Sequence, residues 1–455
     1  MTRLVHATHL VVGAGAMGLA FVDALVDHGD ARVVLVDRRP APGGHWLNAY
    51  PFVRLHQASS FYGVASTPLG NGRLQTGGPE AGLHERASQP EILHYYERVL
   101  QRLLDTGRVE FHPASEYVGD RTVVSRVSGT RLEVPGTCRV VDARYLAPHI
   151  PAETPPPFAV ADGARVVPVN ALADVREPPS RYVVVGSGKT ATDACTWLLG
   201  HGVDPGAVTW VRPRDPWLLD RARVQPDPET FLAMAADVME AAAASTTPEG
   251  LFARLEDAGV MLRLDARVTP TMARAPTIAA WEVEQLRRIE DVVRLGHVTA
   301  VERGRVVLAG GTVTVPDDAL VVNCAADGSP HPPPVPVWQP DVVTLQAVRS
   351  GFPCFGAALI GYVEATRTDD ATKNGLCPAT PDAATLREWV TMTERGTRAT
   401  RAFTAEPDVR DWADRTALNP ARVPPGHLGS AALTEAQERL AAATGPALAS
   451  LAAMP

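Results

Sequence analysis

Twice along its 455 residues the chain runs an apolar stretch into a glycine turn and then into a helical pattern, and that repeat limits the possible folds more than any other feature. The first copy is HLVVGAGAMGLAFVDALVDHGDARVVLVD, residues 9 to 37. His9 to Val12 reads as a buried parallel strand, Gly13 to Gly18 as the turn and Leu19 to His28 as a helix, with a second strand ending on Asp37. Gly13 makes the tight turn, Gly15 lets backbone approach a pyrophosphate, and Gly18 lets the helix pack on the strand, while the helix N-terminus faces the phosphate charge. Asp37, about 20 residues beyond the turn, stands where an acidic side chain receives ribose hydroxyls. Strand, turn, helix, strand and acid in this register predict a dinucleotide site.

The second copy, RYVVVGSGKTATDACTWLLGHGVDPGAVTWVRPRD, contains the Gly-Ser-Gly-Lys-Thr that ends many ATPase loops. Such a loop needs an earlier glycine at position 183, and there Val183 continues an apolar strand. Spaced instead as Gly186, Gly188 and Ala191, the same letters form a second dinucleotide turn. Where the first copy ends on Asp37, this one ends on Arg212 and Arg214. Guanidinium groups there pair with a ribose 2'-phosphate, which a carboxylate would repel. NADP(H) is therefore expected at the second site, with Ser187, Lys189 and Thr190 as further polar partners of its phosphates, and FAD or NAD at the first.

With 43 basic and 51 acidic side chains the formal charge is −8, which argues against a general binder of nucleic acid or anionic membrane. Neither a secretory signal nor a spanning apolar segment is visible, so a cytoplasmic protein is expected. The five cysteines are scattered, and the one close histidine pair, His6 and His9, falls on opposite faces of a strand; neither a disulfide scaffold nor a metal site is expected. Proline-rich stretches at 147 to 158 and 328 to 340 bracket the second copy as linkers. The fold class expected is α/β with two nested Rossmann-like dinucleotide-binding domains. Residues 1–155 start the first domain, 156–328 form the inserted second domain, and 329–455 complete the first and add a helical C-terminal segment. A helical insertion at about 226–264 could cover a pocket.

After Asp37 come Gly43-Gly44-x-Trp46, then Tyr50-Pro51-x-x-Arg54, Ser59 and Tyr62. This series resembles the class B flavoprotein monooxygenases, the flavin-containing and Baeyer-Villiger types, and LVVNCAADG (320 to 328) resembles their strand near the return to the FAD domain. The resemblance spans roughly residues 9 to 375. It implies FAD at the first site, held by Gly13, Gly15, Gly18, Asp37, Gly43, Gly44, Trp46 and Arg54, and NADPH at the second. It also implies oxygen insertion into a small molecule. The family places residues facing the flavin where this chain has His56 and Gln57; Arg288, with Arg287 beside it, falls near the Baeyer-Villiger arginine, and Lys373 or Asn374 falls in a flavin-side loop.

The chain also departs from that pattern. The family fingerprint ahead of the second turn survives only as Phe158 and Gly163, and His56 stands where Baeyer-Villiger enzymes have an aspartate. Oxidation of nitrogen, sulfur or activated carbon is thus expected over ketone-to-ester chemistry. An NADPH-dependent flavoprotein reductase that inserts no oxygen is the alternative, followed by a non-catalytic cofactor-binding protein. A disulfide reductase would need a cysteine pair between Gly43 and Gly82, and that segment contains no cysteine.

Overall fold

A computed structural model describes residues 2–326 and 332–454. Asp327 and Gly328, which end LVVNCAADG, and the start of the linker at 328 to 340 lie outside them. The chain opens its first α/β unit with β1 (His9–Val12), α1 (Ala16–His28), β2 (Val33–Val36), α2 (Gln89–Asp105), β3 (Val109–His112) and β4 (Arg139–Asp142). It then builds a second unit from β5 (Arg165–Pro168), β6 (Tyr182–Val185), α3 (Lys189–Gly200), β7 (Val208–Val211), α4 (Pro228–Ala243), α5 (Pro248–Asp257), α6 (Ala280–Arg287), β8 (Val292–Val293) and β9 (Leu320–Asn323). Afterwards β10 (Val342–Thr344) and α7 (Pro353–Thr366) return to the first unit, and α8 (Asp370–Leu376), α9 (Leu386–Ala405), α10 (Pro407–Arg415) and α11 (Ala431–Ala453) follow.

Both main sheets are wholly parallel, in the order β10-β4-β1-β2-β3 for the first and β5-β9-β6-β7-β8 for the second. Parallel sheets are covered on both faces, and β2, β6, β7 and β9 are accordingly buried at every position. In each unit the first strand of the glycine motif occupies the centre, and its neighbours run away on opposite sides. The crevice at such a switch point, outside the carboxyl ends of the strands, is where this architecture binds ligands.

The first unit is discontinuous, as the sequence predicts. β10 pairs with β4 after the second unit has been completed, and α7 lies along α1 in backbone contact. A Cβ on Gly361 of α7 would stand 2.4 Å from the Phe21 carbonyl oxygen of α1. The helical insertion and the C-terminal helices join into one layer. α4 packs along α11, Arg439 of α11 binds Asp237 (2.6 Å) and Glu240 (2.7 Å) of α4, and Trp217, Phe252, Leu255, Trp389, Ala447 and Leu451 share one apolar cluster. None of the helices among the described residues is long and apolar enough to cross a membrane.

The two glycine turns differ in what surrounds them. A Cβ on Gly18 would meet the Gly13 carbonyl oxygen at 1.9 Å, whereas a Cβ on Gly188 would meet nothing within 4 Å. Gly18→Ala is expected to lower the unfolding free energy by about 3 kcal/mol, and Gly188→Ala to change it by less than about 1 kcal/mol. Urea unfolding of the two variants beside the parent measures the difference, and equal effects would contradict this packing.

Candidate active site between two dinucleotide turns

Gly13 takes φ +115°, a left-handed conformation, so the chain can leave β1 and enter α1 within a few residues. Asp37, at the end of β2, is 5% exposed and turns its carboxylate onto the turn: one oxygen accepts the Ala14 N–H at 2.7 Å and the other the Arg39 N–H at 2.8 Å. Each oxygen keeps a lone pair for a ribose hydroxyl. The glycine pair after Asp37 lies directly across this turn. Gly43 N–H donates to the Ala14 carbonyl at 2.9 Å, and a Cβ on Gly44 would stand 3.0 Å from the Gly15 Cα. Trp46, buried, donates its indole N–H to the Tyr62 hydroxyl at 2.6 Å.

From there the segment crosses to the second turn. The Tyr50 hydroxyl donates to Asp193 of α3 at 2.7 Å, Phe52 stacks on Trp197 of α3 with ring centres 5.0 Å apart, and Asn170 donates to the Asn48 carbonyl at 2.8 Å. Gly186 has φ +133°, and its carbonyl accepts the Trp210 indole N–H at 2.8 Å, which ties the second turn to β7. Ser187 is buried beside it and Gly188 caps α3 with open space above its Cα. Thus seven residues of chain, Gly44 to Tyr50, join one glycine turn to the other.

At the end of β7 the two predicted arginines take different positions. Arg212 is 3% exposed, stacks on Trp210 at 4.7 Å and pairs with Asp215 at 3.4 Å, and its Nε–H is buried without an acceptor. Burial lowers its pKa, opposed by Asp215 and assisted by Arg294. Asp215 also holds Arg294 at 2.8 Å. Arg214 is exposed, and no ion pair engages it among the described residues.

Where the two units meet lies a buried group of charges that motif reading missed. Arg221 is 0% exposed and donates to the His56 carbonyl (2.9 Å), Glu80 (2.9 Å) and Glu282 (2.6 Å). Glu80 also accepts from Arg86 at 2.8 Å and from the Trp281 indole at 3.0 Å. Burial pushes the Glu282 carboxyl up, but Lys189, Arg221 and Arg86 more than offset this and leave its pKa lowered. Nothing in the sequence spacing brings Glu80, Arg221 and Glu282 together; Glu282 also reaches back to accept the Ala279 N–H at 2.9 Å where α6 begins. The His56 imidazole sits in the same field. Its pKa falls well below 6.5, first through desolvation and then through Lys189, Arg221 and Arg86, so the ring is neutral at pH 7. Gln57 donates to the Gly351 carbonyl at 3.2 Å, in the loop after β10.

Six predicted site residues stand elsewhere or are committed elsewhere. Arg288 is exposed at the end of α6 and donates to Gln285 at 2.6 Å; Arg287, also exposed, donates to the backbone carbonyls of Arg263 and Leu264. Neither faces the turns, because the buried side of α6 is taken by Glu282, Val283 and Leu286. Lys373 is 2% exposed and binds Glu364 at 2.6 Å, and Glu364 also accepts from the Trp338 indole and contacts His9 and Arg139. His9 and Arg139 begin β1 and β4, so Lys373 lies at the opposite edge of the sheet from the glycine turn, about 13 Å away by strand rise alone. Asn374 is held by both backbone groups of Trp338. Arg54 is exposed and donates to the Arg86 carbonyl. Lys189, buried at the start of α3, gives its ammonium to Asp193 rather than to the open space at the turn.

A family model described as an NAD(P)-binding Rossmann-like domain matches residues 11–53, which hold the first turn, Asp37 and the glycine pair. The uncharacterized protein Rv2000 of Mycobacterium tuberculosis is 44% identical over 422 residues, 92% of this chain and 78% of that protein, and Mb2023 of Mycobacterium bovis aligns to the same extent. Among solved structures, the flavin-containing monooxygenase from Stenotrophomonas maltophilia aligns with 79% of this chain and 97% of its own at 13% identity and a TM-score of 0.46. The open crystal structure of cyclohexanone monooxygenase aligns with 79% of this chain and 88% of its own at 17% identity and a TM-score of 0.47. The bacillithiol disulfide reductase of Bacillus cereus aligns with 80% of this chain and all of its own at 12% identity and a TM-score of 0.46.

The depressed pKa of His56 has a thermodynamic consequence. The unfolded chain protonates this ring near 6.5 and the folded chain only well below it, so in between the unfolded state holds more protons and stability falls as pH drops. From about pH 7 to about pH 5 the parent is expected to lose more stability than His56→Gln, by up to about 1.4 kcal/mol per pH unit. Urea midpoints across that range measure it; parallel curves would mean that His56 is not held neutral.

Proposed function

We propose that this chain, which belongs to the family of the Mycobacterium tuberculosis protein Rv2000, is an FAD- and NADPH-dependent monooxygenase that oxidises nitrogen, sulfur or an activated carbon of a small molecule. The observation that carries the reading is the segment from Gly43 to Tyr62. It covers the first glycine turn, reaches the helix of the second and brings His56 into the field of Lys189 at the start of that helix. Hydride transfer between two dinucleotides needs their reactive rings brought together across one cleft, and two crevices spanned by so short a stretch suit that need.

The residues fit both cofactors. Gly13, Gly15, Gly18 and the N-terminus of α1 would hold the FAD pyrophosphate and Asp37 its ribose, with Gly43, Gly44 and Trp46 alongside. Gly186, Ser187, Gly188 and Thr190 would hold NADPH, where the open space at Gly188 admits phosphate. Exposed Arg214 would meet the 2'-phosphate directly, and Arg212, fixed on Trp210, would support it from beneath with a spare N–H. FAD, when bound, accepts hydride from NADPH and supplies the oxygen chemistry. The protein's part is to orient the two rings, to exclude water with the α4–α11 layer and the buried charges, and to hold a neutral imidazole at His56 that can hand over or take a proton.

A reductase that passes electrons without inserting oxygen is the second reading, favoured by the reduction of the family fingerprint ahead of the second turn to Phe158 and Gly163. One experiment separates them. NADPH should bleach a yellow protein anaerobically, and isotopically labelled oxygen admitted with substrate should enter the product; reduction followed by release of all the oxygen as hydrogen peroxide, whatever the substrate, would favour the reductase.

For the second site, Arg214→Ala is expected to raise the KM for NADPH about tenfold or more and leave that for NADH within about twofold. Arg212→Ala adds a loss of stability from the vacated Trp210 face. Equal changes for both nucleotides would remove the phosphate assignment.

A further inference from the structure

Arg294 follows β8 as Arg212 follows β7. The two strands pair in parallel, Trp210 beside Val292 and Val211 beside Val293, and the Arg212 N–H donates to the Val293 carbonyl at 2.9 Å. The two arginines therefore leave the sheet side by side, and both reach one carboxylate. Arg294 grips Asp215 with a fork, its Nε–H on one oxygen at 2.8 Å and an Nη2–H on the other at 3.2 Å. Arg212 approaches Asp215 only at 3.4 Å and keeps its Nε–H without an acceptor. Asp215 and Arg212 are both buried, so water and salt screen this competition little.

A fork is the stronger form of arginine–carboxylate pairing, so it decides where the Asp215 charge goes. Without Arg294, Arg212 would be the one cation left in ion-pair contact with Asp215 among the described residues. Asp215 would then close on the guanidinium at the end of β7, where a dinucleotide's ribose is received, and set a negative charge against any phosphate there. Asp265 does not alter this balance. It accepts from Arg294 at 3.1 Å, but Arg267 holds both of its oxygens, at 3.0 and 3.2 Å. Arg212, exposed Arg214 and Arg294 against Asp215 leave a net charge of about +2, which matches the −1.5 to −2 of a phosphate monoester at pH 7.

We propose that Arg294 determines the nucleotide specificity of the second site: by drawing Asp215 to itself, it keeps the Arg212 guanidinium open to the ribose 2'-phosphate. This rests on the NADPH reading given above. Arg294 is a positioning residue, which acts on the phosphate through Asp215 and Arg212 rather than by touching it. Its effect is confined to nucleotides that carry the 2'-phosphate, because a bare ribose hydroxyl has no charge for Asp215 to oppose.

Calorimetric titration of NADP+ and of NAD+ into the holoprotein tests this without turnover, with the melting temperature recorded for each variant. Arg294→Met should bind NADP+ about tenfold or more less tightly and NAD+ within about twofold of the parent, and Arg294→Lys, which keeps a charge beside Asp215, should lose less. The decisive variant combines Arg294→Met with Asp215→Asn and so removes the carboxylate that Arg294 restrains. Its NADP+ affinity should return to within about threefold of the parent. A double variant as weak as Arg294→Met overturns the proposal and assigns Arg294 to direct contact with the phosphate. Equal losses for NADP+ and NAD+ overturn it in favour of a structural ion pair. If Arg294→Met does not fold, Asp215→Asn decides: NADP+ binding at least as tight as in the parent is expected, and a selective loss overturns the proposal, since Asp215 would then be what holds Arg212 in place. A parent that binds NADP+ no better than NAD+ removes the phosphate reading itself, a result read before any variant is compared.

Discussion

The relation between the two dinucleotide units hangs on the buried guanidinium of Arg221. It belongs to the second unit, yet two of its three acceptors, the His56 carbonyl and Glu80, belong to the first, and the third, Glu282, opens a helix of its own unit. Arg86 adds a second positive charge from the first unit, so two cations face two carboxylates, with Arg221 fully buried and Arg86 and Glu80 largely so. Burying four charges costs several kcal/mol per ion before their attraction is counted, and such a cluster adds little net stability. What it supplies is a set of hydrogen bonds that crosses from one unit to the other, from Arg221 to the His56 carbonyl and Glu80. Removing one member costs about 3–5 kcal/mol, because the rest remain buried and unpaired.

That docking explains why the segment from Gly43 to Tyr62 can serve both units. Its start is fixed by backbone contact with the first turn, its middle by Tyr50 and Phe52 on α3, and its His56 carbonyl by Arg221 and Thr277. The imidazole at position 56 therefore takes its electrostatics from both units at once. Desolvation does most to keep the ring neutral, and Lys189 and Arg221 from the second unit and Arg86 from the first add to it against the opposing charge of Glu282.

Much of the fold was legible because its signals are local. The strand at His9 to Val12, the turn at Gly13 to Gly18 and the terminal Asp37 are contiguous in sequence and physically required by one another, and the same holds from Tyr182 to Arg212. The insertion at α4 and α5 was legible from helical periodicity. The electrostatic core was not, because Glu80, Arg221 and Glu282 meet only through tertiary packing, and side chains of that kind are ordinarily solvated. Arg288 and Lys373 mislead for the complementary reason. Each carries a suitable charge near a plausible position, but helix phase puts Arg288 at the surface, and strand direction puts Lys373 at the wrong edge of the sheet.

The backbone contact between Gly361 of α7 and Phe21 of α1 also bears on how the molecule is made. About 200 residues separate the end of β4 from the start of β10, so at about 5–20 residues per second the ribosome takes on the order of 10–40 seconds to supply the outer strand and covering helix of the first unit. By the end of that interval the inserted unit, whose five strands all lie within that stretch of chain, already has every element of its sheet. The order of assembly thus inverts the order of translation: the segment synthesised second can be finished first, while the α1 face stays uncovered and exposed to chaperones until the chain returns.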